Sequence, residues 1–187
     1  LNPLKQPGSL HMLFLFVRNV VRYFAYKVKL QRKKHFTIGF TTDHFNPLQP
    51  DFSSVTIADL PPNTFYADPF LIENKQQPYI FFENFSKKSG RGIISVLKPD
   101  KSIRNVLEQP YHLSYPFVFE WNNNYWMIPE TADAKNVQLF RCAQFPDQWE
   151  FVKELLSDCV LIDATVFFHQ NKWWMFGVTN HHPACST

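Results

Sequence analysis

FYADPFLIENKQQPYIFFENF, residues 65–85, contains two apolar runs joined by a polar turn, with Asp68-Pro69 heading the first run and Glu83 closing the second. Apolar runs of this length, bounded by Asn, Gln and Pro, read as a β-hairpin. The pattern then returns. Asp68-Pro-Phe-Leu-Ile aligns with Tyr115-Pro-Phe-Val-Phe and Asp163-Ala-Thr-Val-Phe at offsets of 47 and 48 residues. Each copy leads into a second run: Tyr79-Ile-Phe-Phe-Glu83, Trp126-Met-Ile-Pro-Glu130 and Trp174-Met-Phe-Gly-Val178. The intervening turns are polar and Asn-rich, as hairpin loops should be.

Further strand candidates lie between the copies, at Gly92–Leu97 and Val137–Arg141, and a stretch ending in PDQWEFVKELL offers a fourth. Four short strands per period of about 40–50 residues is the spacing of a β-propeller blade. A helical solenoid would need helices, which the alternating aromatics oppose. Three copies cover roughly residues 65–180, and a ring needs more, so the strand Phe36–Phe40 is expected to join a closing blade and further blades to follow Thr187. In such a ring the first strand of each blade lines the axis, which explains an acid at its head.

Composition agrees with an all-β chain. Among 187 residues there are 20 Phe, 7 Tyr and 5 Trp against only 5 Gly, and aromatic side chains suit a pleated, half-buried surface. The net charge of +3 is uneven: Arg18, Arg22, Lys27, Lys29, Arg32, Lys33 and Lys34 precede the β-rich part. No helix-turn-helix or RNA-binding signature accompanies them, so no nucleic-acid partner is expected. The reading divides the chain into residues 1–35, a basic amphipathic connector helix and linker, and residues 36–187, an incomplete propeller. Arg18 and Arg22 keep the apolar run within residues 12–29 below the roughly 20 residues of a membrane span. That helix would instead lie on a membrane surface or pack on a neighbouring domain. Three cysteines without CxxC spacing argue against a disulfide scaffold and suit reduced thiols in a cytoplasmic, at most membrane-peripheral, protein.

The runs YADPF, FFENF before RGIISV, YHLSYPFVFEWNNNYWMIPET, QLFRCAQFPDQW and LIDATVFFHQNKWWMF together resemble the N-terminal domain of the glucosamine inositolphosphorylceramide transferase family. The resemblance covers about residues 36–180. That domain also occurs in bacterial multidomain proteins, some with a formyltransferase-like region. It is similar in turn to the five-bladed propellers of glycoside hydrolase family 43. The resemblance implies a partial five-bladed β-propeller of about three blades, fused to further domains and binding or processing a sugar or glycoconjugate in its axial pocket. A glycosidase in its own right and a non-catalytic scaffold are the alternatives.

On the hydrolase pattern Asp68 matches the general base or nucleophile and Asp163 the acid that orients substrate. Glu130 is the candidate proton donor. Its recurrence at Glu83 also suits a structural role, with the carboxylates accepting N–H bonds between blades. Tyr66, His112 and Tyr115 stand beside these acids and, with Glu83, are the candidate sugar contacts. Tyr125-Trp126 and Trp173-Trp174 alternate across strands, so one of each pair belongs to the core. His181, His182 and Cys185 make only a weak metal-like group, and His44 and His169 read as loop residues. No metal or cofactor is expected, and no GxGxxG, Walker, HExxH or GxSxG motif is present.

Overall fold

The computed structural model describes residues 16–23, 36–41, 46 and 48–179. The chain divides into two compact units, residues 1–35 and 36–187. Within the first, residues 16–23 form a helix with Phe16, Val17, Val21 and Tyr23 exposed. Among the described residues no helix is long and apolar enough to cross a membrane. The rest of the predicted connector, together with His44, His181, His182 and Cys185, lies outside the described residues.

The second unit is all-β. A short ribbon, β1 (Gly39–Phe40) with β2 (Thr56–Ile57), precedes two four-stranded antiparallel sheets. The first is β3 (Thr64–Asn74), β4 (Gln77–Ser86), β5 (Arg91–Leu97) and β6 (Ile103–Leu107), paired in chain order. The second repeats that order with β7 (Ser114–Trp121), β8 (Asn124–Glu130), β9 (Val137–Gln144) and β10 (Gln148–Leu156). A hairpin of β11 (Leu161–His169) and β12 (Lys172–Thr179) follows. The stretch at Phe36–Phe40 forms a two-residue strand paired with β2, and β6, which sequence reading missed, is the outer strand of the first sheet.

Each leading hairpin closes over two residues, Lys75-Gln76, Asn122-Asn123 and Gln170-Asn171, all with positive φ. Two consecutive left-handed residues are what a tight turn needs to follow the right-handed twist of its strands, and Asn tolerates that conformation well.

Neighbouring residues on the second strands enter different cores. Phe81 belongs to the core with Ile94, Val96, Val118, Met127 and Phe140, between the first and second sheets. Phe82 faces the other way, onto Ile38, Ala58, Tyr66 and Leu97. In the second sheet Met127 joins the first of these cores, while Ile128 packs with Val137, Leu161, Ala164 and Val166 toward β11. Strand alternation therefore buries both faces, which stacks the sheets in series. At about 1.5–3 kcal/mol for each fully buried large apolar side chain, these cores dominate the stability of the unit.

The third sheet leaves part of its neighbour uncovered. A cleft of about 450 Å³ lies between the hairpin and the second sheet, lined by Trp121, Trp126, Leu139, Leu155, Trp173 and Trp174. Trp173 and Trp174 are both 45% exposed. Cys142 is a free, partly buried thiol.

Candidate functional site

The three leading strands share one irregularity. Register breaks between Ala67 and Phe70 in β3, between Ser114 and Phe117 in β7, and between Ile162 and Thr165 in β11. Within the breaks sit Asp68-Pro69, Tyr115-Pro116 and Asp163-Ala164, and the first residue of each pair is left-handed, with φ of 50°, 44° and 56°. Proline fits here because the bulge has already interrupted the ladder and no N–H is required. Asp accepts this conformation readily, but a ring-bearing residue does so only when its surroundings hold it. For Tyr115 those surroundings are Phe70, edge-on at 4.8 Å, and Thr165, whose hydroxyl lies 3.0 Å from the phenol.

The bulges are tied to one another by acids. Tyr115 N–H donates to Asp68 Oδ2 at 3.2 Å, and Asp163 N–H donates to Glu130 Oε2 at 3.2 Å. Each sheet thus offers one carboxylate to the bulge amide of the next. Glu83 occupies the repeat position of Glu130 but makes a different contact: its Oε1 is 3.6 Å from His112 Nε2. His112 Nδ1 accepts the Gly92 N–H at 2.8 Å, and the backbone N–H of His112 donates to Asp133 Oδ2 at 3.4 Å.

The acids also feel each other's charge. Burial, then the charges of Asp68 and Glu130, push Glu83 up to about 7. Glu130 is raised as well, first by burial and then by Asp163, Asp68 and Asp133, against a lowering by the Asp163 N–H. Removing a carboxylate from water and setting like charges beside it both favour the protonated form, whereas an N–H bond favours the ionised one. Asp68, Glu83, Glu130 and Asp163, spread over 96 residues of chain, form one electrostatic group with Tyr115 and His112 at its side.

Tyr66 stands apart. It is 2% exposed and packs at 4.6 Å on Phe82 in the outer core of the first sheet, so its ring face is not free to stack on a sugar. Gly92, Thr165 and Asp133 were not singled out in sequence. Gly92 carries a usable signal, a glycine opening an apolar strand, and its function is space. A Cβ there would stand 2.7 Å from Glu83 Oε1, 2.9 Å from His112 Cε1 and closer still to the Leu113 carbonyl. Among the described residues no group of three or more His, Cys, Asp or Glu is arranged to hold a metal ion.

A family profile described as glucosamine inositolphosphorylceramide transferase 1, N-terminal, matches residues 46–186. The chain is similar to glucosamine inositolphosphorylceramide transferase 1 of Arabidopsis thaliana, with 35% identity over 131 residues, covering 67% of this chain and 17% of that protein. It is similar to the protein of the same name in Oryza sativa subsp. indica at 35% identity over 121 residues, covering 62% of this chain and 16% of the relative. The chain thus spans about one-sixth of the length of these curated relatives. No solved structure matches it. With the profile covering most of the residues, the chain belongs to the family of the N-terminal domain of glucosamine inositolphosphorylceramide transferase 1.

Proposed function

We propose that residues 36–187 are part of a five-bladed β-propeller that holds a sugar or glycoconjugate at its hub, within a larger glycan-modifying protein. The observation that carries this reading is the threefold bulge. Asp68, Tyr115 and Asp163 head the leading strands of successive sheets, and hydrogen bonds to Asp68 and Glu130 join those heads. Strained, left-handed non-glycine residues collect where a ligand is held, and acids at a common axis can accept the hydroxyls of a hydroxylated ligand.

The cleft beside β12 supports the ring. In the core between the first two sheets, the following sheet contributes Phe140 from β9, with Trp149 of β10 packed against it. The corresponding strands of the third blade would fill the space beside Leu139 and Leu155. The long relatives, named as transferases, favour a domain that works beside a transferase over an independent glycosidase with Asp68 as base. The basic, apolar-faced helix at residues 16–23 would bring the hub to a lipid-linked acceptor at an anionic surface.

A structural reading also rests on an observation: the Asp68 and Glu130 bonds join sheets whether or not a ligand is present. Binding of methyl glycosides to Asp68→Asn and Asp163→Asn separates the two. A hub site predicts weakened binding in both variants with folding retained; binding unaltered in both would leave these acids as ties between blades.

A further inference from the structure

We infer that Glu83 is the hydrogen-bond donor of the hub, a neutral carboxyl whose O–H donates to an acceptor oxygen of a neutral hydroxylated ligand, beside Asp68 and Glu130, which already accept backbone N–H groups. This rests on the reading of the hub as a glycoconjugate site and assigns the division of labour within it.

The argument starts from the repeat. Glu83 and Glu130 close equivalent second strands. Glu130 receives the bulge N–H of the next sheet, from Asp163. The corresponding N–H for Glu83 belongs to Tyr115, but Asp68 has taken it. In the second sheet the place of Asp68 is filled by Tyr115, so no bulge acid competes with Glu130. The first sheet therefore has two carboxylates for one amide, and Glu83 is the one displaced.

Its surroundings do not compensate. Glu83 is 6% exposed, and among the described residues no hydrogen bond reaches its carboxyl. His112 Nε2, at 3.6 Å, is beyond hydrogen-bonding distance. The other ring nitrogen, His112 Nδ1, is engaged with the Gly92 N–H at 2.8 Å. The groups facing Glu83 are Asp68 from β3, Glu130 from β8 and His112 from the segment before β7: two acids and an imidazole. A carboxyl buried without a donor among negative charges holds its proton, and once protonated it becomes a donor. Asp68 and Glu130 each accept a backbone N–H, from Tyr115 and Asp163, a bond that Glu83 lacks.

The test has two arms, both on the full chain. In the first, the side-chain carboxyl ¹³C resonance of Glu83, assigned by its loss in Glu83→Gln, is followed with pH. The expected midpoint lies near 7 and moves down in Asp68→Asn, where one negative neighbour is gone. A midpoint in the usual glutamate range of about 4 overturns the inference. In the second, methyl glycosides of glucose, galactose, mannose and N-acetylglucosamine are tested by saturation-transfer NMR. Gln keeps a neutral donor, so Glu83→Gln should retain more binding than Glu83→Ala and lose any weakening above pH 7, while Glu83→Ala should lose about tenfold, the worth of one buried hydrogen bond. Abolished binding in Glu83→Gln, with binding by the unmodified chain, overturns the donor role. If no glycoside binds the unmodified chain, the hub reading fails and the donor role with it, and the titration still decides where the proton resides.

Discussion

Replacing Glu83 with Gln should stabilise the protein at pH 8 and leave it unchanged at pH 4. In the unfolded chain the carboxyl ionises at its ordinary value of 4.5, whereas in the folded protein burial and the charges of Asp68 and Glu130 raise it to about 7. Below 4.5 both states are protonated and the group contributes no penalty. As pH rises between those values the native state keeps a proton that the unfolded state has released, so stability falls and then levels off above about 7. At 1.36 kcal/mol per pKa unit the full displacement corresponds to about 3 kcal/mol. Asp68 and Glu130, the charges that act on Glu83, are both partly exposed, and screening at this open side leaves about 1.5 kcal/mol. For a chain of this size that is a shift of ~3–6 °C in Tm. Gln cannot ionise, so melting curves followed by circular dichroism at pH 4, 6 and 8 should show the variant gaining stability over the parent across this range. An equal change in Tm at pH 4 and pH 8, of either sign, would refute the account of Glu83 as a carboxyl that resists ionisation in the fold.

Three further outcomes follow from the geometry. Gly92→Ala should lower stability by about 2–4 kcal/mol in chemical denaturation, since its Cβ meets the Leu113 carbonyl, Glu83 and His112, and overpacking against backbone costs about 1–3 kcal/mol before hydrogen bonds are lost; a near-neutral effect would mean that this junction yields easily. At Asp163, with φ of 56°, substitution by Gly should be tolerated while Val costs about 1–2 kcal/mol more than Gly, a difference that thermal melts would show and whose absence would argue against the bulge. The chain as it stands should self-associate through β12, where Trp174, Phe176 and Val178 are exposed on a strand whose outer edge has no neighbour among the described residues; sedimentation showing a monomer that melts cooperatively would contradict this.

The hairpins were legible in sequence because their signal is local. Polar turn pairs, period-two alternation and the return of Asp68, Tyr115 and Asp163 at near-constant spacing require no knowledge of tertiary contacts. The belonging of the chain to its family was legible for the same reason, from several motifs in fixed order. β6 escaped because Ile103–Leu107 is half polar, with Arg104 and Asn105 exposed at a sheet edge. Adjacency of Tyr66 to Asp68 in sequence did not show that the Tyr66 ring is buried against Phe82 while Asp68 sits in the register break. The competition of Asp68 and Glu83 for one amide was equally out of reach: which acid wins depends on angles that only the folded sheets define. The suggestion that Glu83 and Glu130 share an inter-sheet role held for Glu130, whose bond to Asp163 N–H is present, and not for Glu83, which faces His112.

Because Phe81 and Phe82, and likewise Met127 and Ile128, feed separate interiors, each central sheet acts as a party wall. Damage to one side is transmitted through a shared backbone to the next compartment, so the stabilities of neighbouring compartments are coupled in a nearest-neighbour chain. Unravelling should then begin at the two-stranded end, where β11 and β12 have one walled side, and travel inward toward β7. Amide exchange would register this as a gradient of protection rising from Lys172 to Phe140, with the first two sheets releasing their protons together.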